Sequence, residues 1–212
     1  MKLGVKAISD AIGIEIKPEH VASANKKMRA YGFKVGVLTQ LAATADPPVL
    51  GGDSVSLAQC IMNVPFNTGT KYAEEAVDIL TKELRAAIKA GEGVMPKGTP
   101  KVAIRNLPYC IPWLGQMFRQ NGLMVQFACA LTPPTRPDDP WYTAAEAWSR
   151  NPMCSNMKNE CDSYIEKLKT YNANGMLLGL FDFDRWVGPQ QKLQAKMVEE
   201  TLHIPCFYLE GD

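Results

Sequence analysis

The sequence predicts an α/β protein in which a four-stranded parallel sheet, with helices on both faces, follows a mainly helical arm. Three observations carry this reading. Up to about residue 97, apolar residues recur mostly at helical spacing, whereas from Lys101 onward short apolar runs alternate with helical stretches. The last 39 positions, Asn174 to Asp212, read NGMLLGLFDFDRWVGPQQKLQAKMVEETLHIPCFYLEGD, one strand–loop–helix–strand unit. A crossover helix between two apolar runs implies parallel strands. The expected division is a helical arm over residues 1–97 and a parallel α/β domain over 98–212.

In the arm, residues 4–45 read as helical. Pro18-Glu19 opens a helix through Val21, Ala24, Asn25 and Met28, since proline is favoured in a first turn. The following GFKVGVLTQLAATA is apolar but glycine-interrupted, and Asp46-Pro47-Pro48 ends it. Gly51-Gly52-Asp53-Ser54 is a turn into a short helix, with Asp53 or Ser54 as cap. A long helix is expected from about Gly69 to Ala90, where Tyr72, Ala76, Ile79, Leu80, Leu84 and Ile88 recur at helical spacing. The arm's apolar Val35, Val37, Leu38 and Leu41 are expected to need a partner's surface to cover them. Gly91, Gly93, Pro96, Gly98 and Pro100 then mark a linker.

The α/β part begins with a strand over Val102–Leu107, then Pro108-Tyr109-Cys110-Ile111-Pro112 and a helix through Phe118 closed by Asn121-Gly122. A second strand covers Leu123–Ala130. LTPPTRPDDP, with its four prolines, is a loop. Helices follow over Trp141–Ser149 and Asn156–Tyr171, the latter with Met157, Cys161, Tyr164, Ile165 and Leu168 on one face. Gly175–Phe181 is a continuous apolar run, as a strand buried on both faces would be. A helix from Pro189 carries the stripe Leu193, Met197, Val198 and Leu202, and Ile204–Leu209 is the last strand. This alternation is Rossmann-like or flavodoxin-like. In spatial order 2-1-3-4 the crevice would be lined by Pro108–Pro112 and Asp182–Trp186, with Cys129 at its flank.

Net charge is +1, from 23 basic and 22 acidic residues, which gives no argument for nucleic acid or an anionic membrane surface. No apolar run approaches the ~20 residues of a spanning helix. A cytoplasmic protein is the expectation. The six cysteines lack CxxC spacing, so they are read as thiols rather than a disulfide framework or a zinc site. His20 and His203 sit at element boundaries as solvated or packed side chains. No GxGxxG or P-loop is present, so neither a standard dinucleotide fingerprint nor a nucleoside triphosphatase is supported.

Among candidate chemical groups, Cys110 precedes a helix start, where amide dipoles favour a thiolate suited to a ligand or a nucleophile. No histidine is placed to act as its base. Asp182 and Asp184 alternate, so in extended chain both point to one side and could do acid–base or metal work. Alternatively one caps the following helix and the other pairs with Arg185. Cys161 and Cys206 read as core. Trp113, Trp141, Trp148 and Trp186 flank loops and read as packing anchors.

Several segments resemble the 2-hydroxyacyl-CoA dehydratase and benzoyl-CoA reductase family. IKPEHVASANKKMRAY followed by ADPPVLGGDSVSL is similar to its helical segment and PP-x-x-G-x-D/E turn. KVAIRNLPYCIPW resembles its first strand and GCP-like loop, with Cys110 at the cysteine. NGLMVQFACALTPPTR resembles the strand that carries a cysteine and an arginine, here in the region of Cys129 and Arg136. DFDRWVGPQQKLQAKMVEETLHIPCFYLEGD is similar to the family's ending, an FCD loop, a helix and EE-x-x-IP-x-L-x-L/I-E-x-D. The resemblance covers nearly the whole chain and corresponds to the C-terminal half of a typical subunit.

The resemblance implies two related subunits, as a homo- or heterodimer, each with a 4Fe-4S iron-sulfur cluster held by cysteines. It also implies an ATP-dependent activator that donates an electron, and an acyl-CoA thioester substrate. Cys110 and Cys129 are then the candidate metal ligands, and the surrounding crevice residues are Pro108, Tyr109, Asp182, Phe183, Asp184, Arg185 and Trp186. Two departures matter, the first being that the resemblance leaves out the family's N-terminal half, from which two ligands usually come. The second is that Phe183 stands at the FCD cysteine position, and phenylalanine cannot ligate iron. The expectation is that this chain alone does not hold a standard cluster. A degenerate, non-catalytic homologue that binds a partner or ligand is the rival reading, and a thiol or carboxylate enzyme using Cys110 with Asp182 or Asp184 is a third.

Overall fold

The computed structural model describes residues 2–50, 70–105, 112–128, 139–149, 157–181 and 188–211. Its helices among these residues are α1 (Lys2–Ile12), α2 (Pro18–Thr44), α3 (Thr70–Ala90), α4 (Pro112–Gln120), α5 (Pro140–Ser149), α6 (Met157–Thr170) and α7 (Gly188–Leu202). The strands are β1 (Lys101–Arg105), β2 (Met124–Ala128), β3 (Gly175–Phe181) and β4 (Cys206–Gly211). All pairs are parallel and the order is β2-β1-β3-β4. This is the expected α/β sheet, Rossmann- or flavodoxin-like. The short helix expected after Ser54 lies outside the described residues.

Alternation along β1 puts Val102 and Ile104 on one face and Lys101, Ala103 and Arg105 on the other. On the first face Val102, Ile104, Val125 and Leu177 pack with Phe118 of α4. On the second, Ala103, Met176 and Leu178 pack with Cys161, Tyr164 and Leu168 of α6 and Val198 of α7. Both faces of the central strands are thus covered, which explains why β1 and β3 read as near-continuous apolar runs. β4 starts two residues later than Ile204. His203 takes a left-handed φ of 56° just past α7, and its N–H donates to the Glu199 carbonyl at 2.9 Å. Pro205 has no N–H for a ladder, and only its carbonyl engages β3, accepting from Met176 at 3.0 Å.

The N-terminal helices have their own apolar cluster. Tyr31, Val35, Leu38 and Ala42 of α2 are buried with Ala73, Val77 and Leu84 of α3, and Leu41 packs half-buried beside them. The surface that Val35, Val37, Leu38 and Leu41 were expected to need is largely supplied by this chain itself, with Val37 half-buried. The face of α3 that meets α2 is centred on Ala73 and Val77. Tyr72 and Ile79 of the expected stripe are exposed, since they lie off this face. Lys34 ties the pair further, its Nζ reaching Asp78 at 2.7 Å and Glu74 at 3.4 Å.

The end of α2 is joined to the sheet. Ala43 is buried in the cluster of the α6–α7 face. Lys101 Nζ donates to the carbonyls of Ala45 at 2.8 Å and Ala43 at 3.4 Å, a cation at a helix C-terminus. Burial lowers the Lys101 pKa, against the pull of the nearby Asp46 carboxylate. Lys101→Met is expected to cost about 1–2 kcal/mol in chemical denaturation, since it strips charged donors from these carbonyls. No helix among the described residues is long and apolar enough to cross a membrane.

Candidate functional site

Because all four strands run the same way, Arg105, Ala128, Phe181 and Gly211 end them along one edge of the sheet. The strand order reverses between β1 and β3, with α4 on one face and α6 and α7 on the other. Such a switch point is where open α/β sheets bind ligands. The observed order is the 2-1-3-4 arrangement for which that crevice was drawn.

A charge sits directly beneath this point. Arg105 is the last residue of β1, in register with Leu178 of β3, and its side chain is only 5% exposed. Its Nη2 donates to Glu160 Oε2 at 2.6 Å, and Glu160, in the first turn of α6, is 2% exposed. An acidic side chain in a first helical turn also meets the positive end of the helix dipole. Gln194 Nε2 donates to the same Glu160 oxygen at 2.8 Å, and the Tyr164 hydroxyl lies 3.5 Å from it. The guanidinium stands 5.2 Å from the centre of the Tyr164 ring. One turn earlier on α7, Gln191 Nε2 donates to the Gly179 carbonyl at 2.8 Å. Both glutamines are fully buried. Burial alone would lower the Arg105 pKa, but Tyr164 and Glu160 more than offset it and the net shift is upward. Arg105 stays charged.

Among the described residues, Arg105 Nε, Gln191 Oε1 and Gln194 Oε1 are buried with no hydrogen-bond partner.

The residues expected to line the crevice lie outside the described residues. Pro108, Tyr109 and Cys110 follow β1 in the chain, Cys129 and Arg136 follow β2, and Asp182, Phe183, Asp184, Arg185 and Trp186 follow β3. Pro112 opens α4 at its first position. Cys161 is a core residue as expected, whereas Cys206 is half-buried and packs against the same cluster. Burial, aided by the charges of Asp162 and Glu160, pushes the Cys161 thiol up to about 11. Burial and the Glu199 carboxylate push Cys206 up to about 12. His20, exposed at the start of α2, accepts at Nδ1 from the Lys17 backbone N–H at 3.2 Å. Trp113 is a correction: it is 61% exposed at the start of α4 rather than a packing anchor.

Hydropathy reading missed the polar network. On α7 the buried stripe is Gln191, Gln194 and Val198, whereas Leu193 is 45% exposed. The helix turns its amides inward because they find partners there. One signal was present in the sequence. Arg105 is the one charge within the expected Val102–Leu107 strand, and a charge in a buried strand must be paired.

The described residues do not fit a metal cluster. No group of three or more His, Cys, Asp or Glu side chains among them is placed to hold a metal ion. Their two cysteines are held as neutral thiols, whereas metal ligation needs thiolates. The family model described as 2-hydroxyglutaryl-CoA dehydratase, D-component, matches residues 2–212. A search of curated proteins returned no match.

Proposed function

Because the chain belongs to the 2-hydroxyglutaryl-CoA dehydratase D-component family, we propose that this dehydratase-type subunit works with a related subunit on an acyl-CoA thioester. The observation that carries the reading is the family match from residue 2 to residue 212. The parallel sheet supports it by offering a switch point at which a ligand can sit between β1 and β3. In this reading Pro108, Tyr109, Cys110, Cys129, Asp182, Phe183, Asp184, Arg185 and Trp186 face the substrate or cluster. An ATP-dependent activator supplies the electron. The same reading divides the chain into a helical arm, residues 1–97, and an α/β domain, residues 98–212.

Cys110 and Cys129 are the proposed iron ligands of this chain, and Phe183 is the position where a further thiolate is missing. The isolated protein, purified without oxygen, is expected to carry no stoichiometric 4Fe-4S cluster. Phe183→Cys should raise cluster retention only when the remaining cysteines are supplied in trans. Iron and sulfide analysis checks both, and a wild-type protein loaded with a cysteine-ligated cluster overturns the expectation.

Phe183 also favours a second reading, a homologue that has lost its chemistry and binds a partner or ligand. Titration of the anaerobic complex, co-expressed with its genomic neighbours, with an acyl-CoA ester separates the two. Binding followed by turnover supports the enzyme. Partner binding with neither thioester affinity nor iron supports the module.

A further inference from the structure

The Arg105–Glu160 network spans four of the elements at the switch point, β1, β3, α6 and α7. Arg105 ends β1, Glu160 and Tyr164 belong to α6, and Gln194 and Gln191 belong to α7. Gln191 closes the set on the carbonyl of Gly179 in β3, one residue beyond the register partner of Arg105. Every link is directional. A single carboxylate oxygen, Glu160 Oε2, holds the β1 end against both helices.

Stability does not explain this choice of residues. Replacing a buried ion pair by apolar side chains of similar volume is often neutral or stabilising, because two charges no longer have to leave water. Apolar contacts are non-directional, however, and would let the ends of β1 and β3 shift with the helices. A hydrogen-bonded cluster admits far fewer arrangements.

We propose that Arg105, Glu160 and Gln191 are positioning residues, which hold the ends of β1 and β3 in fixed relation at the crevice at the expense of stability. The proposal does not depend on the acyl-CoA reading. Holding and stabilising are separable in the double variant Arg105→Met/Glu160→Met. Its melting temperature should fall by less than that of Glu160→Ala, the remaining cost being the buried Gln194 amide left without its acceptor. Native-state hydrogen exchange of amides 103–105 and 178–180 should nevertheless accelerate roughly tenfold, while amides 35–42 and 77–84 stay unchanged. Strand-end exchange that is unchanged, or that rises only in step with the α2–α3 amides, overturns the proposal. Gln191→Met removes one hydrogen bond and tests it even if the double variant fails to fold. Its acceleration should be confined to amides 178–180. Acceleration that extends to 103–105, or none at all, counts against the proposal.

Discussion

Glu160→Ala is expected to destabilise the protein by about 3–5 kcal/mol, the range for removing one partner of a buried ion pair. The cause is what remains. Arg105, 5% exposed, would keep its charge with no carboxylate to face, and Gln194 would lose the acceptor of its amide. For a chain of this size each kcal/mol shifts the melting temperature by about 2–4 °C, so a fall of roughly 10 °C should be seen. Glu160→Gln keeps an acceptor and loses only the charge, and about 1.5–3 kcal/mol is expected. Urea denaturation of the three proteins checks the order. A Glu160→Ala variant within 1 kcal/mol of wild type would mean that the pair is solvated in solution.

Apolar pattern made most of the fold legible. Gly175–Phe181 reads as a doubly buried strand because it packs α4 on one face and α6 and α7 on the other. Cys161, Tyr164 and Leu168 were legible as a helix face for the same reason. Stripes mislead where burial is decided by a partner rather than by hydropathy. Glu160 lies one turn before Tyr164, and Gln191 and Gln194 lie in phase with Val198, so their spacing fits the buried face while their chemistry argues against it. Ile204 and Pro205 fail as strand residues because a proline cannot donate to a ladder.

The candidate site was legible as a place more than as a constellation. Short apolar runs joined by helices imply parallel strands, and the observed order β2-β1-β3-β4 sets the crevice between β1 and β3. Pattern could not reveal what lies under it, since a buried Arg–Glu pair 55 residues apart leaves no local periodicity. The lone charge of Arg105 in its strand was the available clue.

The second large effect is expected at alkaline pH and comes from Cys161 and Cys206. Their folded-state values, about 11 and about 12, stand above the ordinary thiol value of 9.0, with burial as the main cause. A group whose pKa is raised by folding contributes stability that is complete below the unfolded value and is lost as pH climbs through the folded one. The window is therefore pH 9 to 12. Between pH 9 and 10.5 each thiol should withdraw about 2 kcal/mol, because the unfolded chain ionises and the folded one does not. Tyr31 and Tyr171, also raised chiefly by burial, act in the same direction at higher pH, and Lys101, lowered by burial, acts in the opposite one. The difference between wild type and Cys161→Ala/Cys206→Ala isolates the thiols. Urea midpoints of the variant should fall less steeply over this window, and equal slopes would refute the assignment. Alkylation gives an independent check at pH 7.5. A thiol at about 12 holds roughly a thousandth of the thiolate of one at 9.0. Site-resolved mass spectrometry with iodoacetamide should thus leave Cys161 and Cys206 unmodified in the folded protein and label both once urea has unfolded it.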